Sequence, residues 1–160
     1  MEQLADTKSE FLLALDDLYS EVENWVESLG LETVRGEKPI REEEFGTYTA
    51  PTLQIRRGER MVATLDPVGA SIVGADGRVD LKGRVTSEII SLFEKARPTI
   101  ALPGMLEEET TARHAHPFYP EITTPGWYWI EFRVRGRARR MSRELFVDLM
   151  RRVSNNGTYE

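Results

Sequence analysis

The amino-acid sequence predicts an α+β fold, in which an antiparallel β-meander of about five to six strands carries N- and C-terminal amphipathic helices on one face. Between Thr52 and Gly83, turn residues recur about every 8 to 12 residues, a spacing typical of a meander. Helical periodicity precedes this stretch and returns near the C-terminal end. The 160 residues show no compositional break, so we expect a single domain, 1–160.

The composition excludes several kinds of site. The sequence has no cysteine, and therefore no disulfide, no thiolate nucleophile and no cysteine-containing zinc site. Residues 1–29 carry acidic side chains where a secretory signal would carry basic ones, and no apolar run approaches the roughly 18 residues of a membrane span. We expect a cytoplasmic protein without membrane contact.

The net charge of -6 is distributed unevenly. Residues 1–29 carry eight acidic side chains against Lys8, whereas residues 133–152 carry eight arginines against Glu144 and Asp148. Two oppositely charged segments can match each other within one molecule, match between two molecules, or face a partner.

The first helix is expected over residues 7–29. Thr7 and Glu10 have the spacing of a capping box, in which each side chain accepts a hydrogen bond from a backbone N–H at the start of a helix. A broad apolar stripe follows at steps of three and four, formed by Phe11, Leu15, Leu18, Val22, Trp25 and Leu29. Gly30 favours the left-handed conformation that ends a helix.

Residues 32–50 are polar and show no sustained period, which predicts a connector. Tyr48 and Thr49 are consistent with the start of an edge strand before Pro51, because proline is tolerated at strand edges.

The meander is predicted over residues 52–83. Its first hairpin pairs the alternating apolar residues Leu53 and Ile55 with a return strand after a turn at Gly58. Residues 70–73 are expected to form a fully apolar strand. Asp76-Gly77 is predicted to be the next hairpin turn, because this dipeptide readily adopts the positive φ angles of such turns.

Residues 86–96 fit both a helical face and one side of a strand. Thr86 or Ser87 as a helix cap, and the weak strand formers Glu94 and Lys95, favour a helix. A strand here would give the meander an additional member.

The C-terminal part is predicted as a loop, a strand and a helix. Five prolines in residues 97–126 predict a long loop, the kind of segment that often carries a functional site. Alternation over residues 127–135 predicts a strand ending near Gly136. Ser142 then caps a helix over 142–153 whose apolar stripe contains Leu145, Phe146, Leu149, Met150 and Val153.

The long loop contains both histidines, His114 and His116. On an extended segment the two rings of a His-X-His pair point to one side, where they can bind a divalent metal together with a carboxylate such as Glu109 or Glu121. Two histidines on a proline-rich loop are also compatible with a solvent-facing pair. No nucleophile elbow and no phosphate-binding loop is present, so we assign neither a catalytic residue nor a cofactor.

The 127–135 strand combines Trp127 and Trp129 with Arg133 and Arg135, which we assign to an interaction site. Arginines beside exposed aromatic rings can bind nucleic acid. The acidity of the whole chain opposes this reading, because repulsion weakens the encounter with a polyanion. The alternative is that the arginines pair with the acidic first helix and that the loop partly buries both tryptophans.

The function expected from the sequence is a non-enzymatic protein-interaction or accessory module that uses the acidic first helix and the arginine-rich strand. A protein partner or self-association, such as a dimer, is favoured over nucleic acid. The alternative is a metal-dependent enzyme or small-molecule binder with its site under loop 97–126.

Overall fold

The computed structural model describes residues 2–72, 74–94, 122–131 and 137–155. The elements in chain order are α1 (Glu2–Glu27), β1 (Glu32–Glu42), β2 (Gly46–Arg57), β3 (Arg60–Gly69), β4 (Gly77–Gly83), β5 (Ser87–Phe93), β6 (Gly126–Glu131), β7 (Arg137–Arg140) and α2 (Arg143–Asn155).

The strands form one antiparallel sheet in the order β1-β2-β3-β4-β5-β6-β7. Each strand therefore pairs with its neighbours in the sequence, which confirms the predicted meander. The sheet has seven strands, slightly more than the five to six expected. Both helices pack on it, so the α+β class is confirmed.

The start predicted for α1 is wrong, because the helix begins at Glu2 and the capping-box residues lie inside it. Its end is as predicted. Gly30 has φ +76°, and the Leu31 N–H donates to the Val26 carbonyl, which closes the last turn.

Residues 32–50 contain β1 and the start of β2, so the predicted connector is wrong. Most side chains of β1 are exposed, because the strand lies at the edge of the sheet. Pro51 lies within β2, at a position that pairs with β1 but has no partner in β3. The proline therefore has a strand neighbour on one side only, a position at which a missing N–H is tolerated.

The connection between β3 and β4 also differs from the expectation. Residues 70–72 form no strand, apart from an isolated bridge between Ile72 and Ala75. The positive φ belongs to Gly74, and Gly77 already begins β4. The Asp76 carboxylate accepts a hydrogen bond from the Glu94 N–H, so it ties this connection to the end of β5 instead of making a hairpin turn.

Residues 87–93 form strand β5, so the helix favoured for 86–96 is wrong and the alternative is correct. Ile89 and Ile90 lie on opposite faces of the sheet, as neighbouring strand residues must.

The strand predicted over 127–135 is observed as β6, Gly126–Glu131, and residues 132–136 lie outside the described residues. The sequence did not predict β7, a short edge strand of sequence RARR. Loop 97–126 lies outside the described residues up to residue 121, and Ile122–Pro125 lead into β6.

The main core lies between the sheet and the two helices. Residues paired across adjacent strands share a face, and on this face they form the apolar row Leu53, Leu65 and Leu81. From α1, Phe11 and Leu15 pack on the sheet, and both are fully buried. The Tyr19 hydroxyl donates to the Pro51 carbonyl at 2.8 Å, which fixes α1 against β2.

Helix α2 completes the cover. Its start is as predicted, because the Ser142 hydroxyl accepts a hydrogen bond from the Leu145 N–H. The predicted stripe of α2 is fully buried, or nearly so, at Leu145, Phe146, Leu149, Met150 and Val153. At its C-terminal end, the Val153 carbonyl accepts hydrogen bonds from the N–H groups of Val85 and Thr86, in the turn between β4 and β5.

The opposite face of the sheet is polar over its first four strands. Asp66 of β3 lies between Lys38 of β1 and Lys82 of β4, each at 2.6 Å. Burial disfavours ionisation of the Asp66 carboxyl, but hydrogen bonds from the two lysines outweigh it and lower the pKa. The ionised carboxylate therefore stabilises the fold above the ordinary Asp pKa, and this contribution is lost as pH falls through the lower folded-state pKa.

We expect Asp66→Asn to reduce the free energy of unfolding by about 1 kcal/mol at neutral pH, because both lysines lose their partner. The variant should also lose part of the decline in stability that the wild type shows as pH falls from about 5 to about 2. Urea unfolding across this range measures both effects. Glu43→Gln, which changes an exposed carboxylate in the β1–β2 turn, is the control and should leave the pH profile unchanged.

Candidate functional site

The exposed side of α1 carries the acidic surface, defined here as Asp16, Asp17 and Glu21. Asp16 is neutralised within the molecule, because the Arg35 guanidinium of β1 hydrogen-bonds to both Asp16 and Glu23. The hydrogen bond to Glu23 is the largest cause of the raised pKa of Arg35. Asp17 and Glu21 form no ion pair with any residue that the structure describes.

Leu13 lies beside this surface with 67% of its side chain exposed. It stands four residues before Asp17 and eight before Glu21, so the three side chains follow one another along one side of the helix. A leucine this exposed, next to two carboxylates that no described residue pairs, is an apolar contact point beside a charged surface. Sequence reasoning missed it, although the signal was present, because Leu13 lies outside the apolar stripe of α1.

A cleft of about 230 Å³ adjoins the acidic surface, between α1, the end of β5 and the β6–β7 pair. Leu18 and Trp127 supply apolar lining, whereas Asp17, Glu21 and Arg140 supply charged groups. The Arg140 guanidinium also donates to the Pro125 carbonyl. Asp17 and Glu21 are exposed at this cleft and have no ion-pair partner among the residues that the structure describes.

Trp127 and Trp129, predicted to belong to an interaction site, are 8% and 3% exposed. The Trp127 indole N–H donates to the Ala14 carbonyl of α1, and the Trp129 indole N–H donates to Glu88 of β5. The described helices and sheet bury both rings, and the part that the alternative reading gave to loop 97–126 is untested, because most of that loop lies outside the described residues. Arg133 and Arg135 lie outside the described residues, so the interaction assigned to this strand stays a prediction.

The arginine surface, defined as Arg139, Arg143, Arg151 and Arg152, lies on β7 and the exposed side of α2. The guanidinium groups of Arg139 and Arg152 lie 5.8 and 5.2 Å from the centre of the Trp129 ring. Arg143 donates to the Ser28 hydroxyl just after α1. That is a contact with a neutral group, whereas Arg35 of β1 forms ion pairs with Asp16 and Glu23 of α1.

The arginine surface surrounds a shallow depression of about 420 Å³. The small exposed parts of Leu145 and Val147, 4% and 9% exposed, are its apolar part, and Arg139, Arg143 and Arg151 lie around it together with Glu144 and Asp148. Sequence reasoning identified the arginines but not the depression, which depends on how β7 lies against α2.

The predicted metal ligands His114 and His116, with most of loop 97–126, lie outside the described residues. Within the described ranges, no three side chains of the His, Asp or Glu type come together as a metal site would require. Neither helix of the described chain is long and apolar enough to cross a membrane.

A comparison of the chain with protein families, with curated protein sequences and with solved structures finds no match.

Proposed function

We propose that this chain is a non-enzymatic protein-interaction module that binds a basic segment of a protein partner on the acidic surface of α1. The observation that supports this most directly is the row of Leu13, Asp17 and Glu21. It combines an exposed apolar side chain with two carboxylates that no described residue neutralises. We further propose a cytoplasmic location, on composition alone.

The physical reason is electrostatic complementarity with an apolar contact beside it. Exposed carboxylates attract a basic partner and orient it, but each surface ion pair stabilises a complex only weakly. Burial of an exposed leucine adds affinity that depends little on salt. Leu13 beside Asp17 and Glu21 supplies both contributions on one side of one helix.

The test is capture by the immobilised full-length chain of proteins from extracts of the cells that produce it. We expect a defined set of polypeptides to be retained at low salt and released at high salt. The charge-reversal variant D17K/E21K should lose this set, because its acidic surface becomes basic.

The matched control is E43K/E44K, which makes the same change of charge in the exposed β1–β2 turn. It should retain the same polypeptides as the wild type. An equal loss in both variants would show that net charge, and not α1, causes the binding, and equal retention by all three proteins would contradict the proposal. An empty wild-type column would contradict the proposal itself.

A further inference from the structure

Two surface features of this chain have complementary shape and charge. Leu13 projects from α1 beside carboxylates, and the depression on α2 has an apolar part, Leu145 and Val147, among arginines. An exposed apolar side chain and a pocket elsewhere on the same molecule can form a head-to-tail contact between copies.

The two features lie apart in the folded molecule. Leu13 lies about 21 Å along the helix axis from Glu27, because an α-helix rises about 1.5 Å per residue. The Arg143 side chain, at the rim of the depression, contacts Ser28 at that far end of α1. A contact between Leu13 and the depression therefore requires a second copy.

The charges favour the same contact. The depression and its surroundings carry four arginines against Glu144 and Asp148, and Arg152 pairs weakly with Asp148 at 3.9 Å. This surface is net positive, whereas the surface around Leu13 is net negative. In a head-to-tail arrangement the acidic surface of one copy meets the arginine surface of the next, so opposite charges come together at every contact.

We propose that the partner of the acidic surface is a second copy of this chain, with Leu13 of one copy in the α2 depression of the next. This inference rests on the proposed function and specifies its partner. Because each copy uses two different surfaces, one interface leaves a free Leu13 on one copy and a free depression on the other. Assembly therefore gives a ring where the geometry closes and an open chain where it does not.

Sedimentation equilibrium of the full chain at low salt tests this first. We expect an average mass above that of the monomer, rising with protein concentration and falling with added salt. Leu13→Ala should weaken association about tenfold. Val85→Ala removes part of another exposed aliphatic side chain, 51% exposed, and should associate like the wild type.

Reversing the charge of each surface in a separate variant, and then mixing the two variants, distinguishes a loss of association from a loss of folding. D17K/E21K makes the α1 surface basic, and R139E/R143E makes the α2 surface acidic. Each variant alone should remain monomeric because its two surfaces repel. An equimolar mixture should associate again, because each altered surface now matches one on the other variant.

A wild type that stays monomeric at every salt and protein concentration tested would overturn the inference, as would a mixture that fails to associate. This failure is distinguishable from failure of the proposed function. A monomeric wild type that still captures a different protein, and loses it in D17K/E21K, would leave the proposed function standing and refute only the second copy as partner.

Discussion

Gly83→Ala is expected to lower the free energy of unfolding by about 3 kcal/mol, because the added methyl group has no room. A Cβ atom at position 83 would lie 2.2 Å from the Val153 carbonyl oxygen and 2.3 Å from its carbonyl carbon. Both are backbone atoms at the end of α2, so the helix must move away from β4. Urea unfolding followed by circular dichroism measures the loss.

Gly36→Ala is the matched control, since it makes the same change in another strand of the sheet. A Cβ atom there would come within 2.8 Å of the Thr52 hydroxyl alone, and a rotation of that side chain relieves the contact. We expect a much smaller loss in the free energy of unfolding than for Gly83→Ala. Equal losses in both variants would show that α2 does not press on Gly83.

Phe146→Ala should cost about 3 to 5 kcal/mol, the usual range for truncation of a fully buried aromatic side chain. Phe146 is fully buried between α2 and the sheet, and its ring centre lies 5.8 Å from that of Trp25 in α1. The substitution thus leaves a cavity where both helices and the sheet meet. Thermal or urea unfolding gives the value.

Leu13→Ala provides the comparison, because it also truncates a large apolar side chain on a helix. Leu13 is 67% exposed, so the substitution should change the free energy of unfolding of the protein by less than about 0.5 kcal/mol. A small effect of Phe146→Ala would mean that α2 is not part of the core. A large effect of Leu13→Ala would mean that Leu13 is buried in solution.

The elements that sequence periodicity predicted well are those with one buried and one exposed face. The stripe of α2 and the alternation of β2 are two such cases, and both are observed. Strand β1 shows no alternation of polar and apolar residues, because it lies at the edge of the sheet. Thr33 and Arg35 are partly or fully exposed to solvent, and so are their neighbours. The alternation of polar and apolar residues arises from the burial of one face, so an exposed strand does not show it.

The predictions for residues 86–96 and for Asp76-Gly77 were wrong for different physical reasons. Strand β5 is apolar on both faces, since Ile90 faces the helices and Phe93 packs with Tyr128 in a small second cluster on the other side. A short apolar run of this kind has no period that separates helix from strand. At Asp76-Gly77, the local preference for a turn lost to a long-range contact, the hydrogen bond from Glu94.

The candidate site was only partly predictable. The acidic character of the first helix could be predicted from the sequence, and Asp16, Asp17 and Glu21 are exposed. The pairing of Asp16 with Arg35 could not be predicted, because it depends on the register of a strand that the sequence did not predict. The burial of Trp127 under Ala14 joins residues 113 positions apart, which no local pattern can reveal.

The order of strands in the sheet has a consequence for synthesis of the protein on the ribosome. Because every strand pairs with the one made just before it, the meander can assemble step by step as the chain emerges. Its apolar face, however, stays partly uncovered until residues 143–155 are released and α2 docks. During that interval the nascent sheet is a target for chaperones, and truncation before α2 should leave an aggregating product.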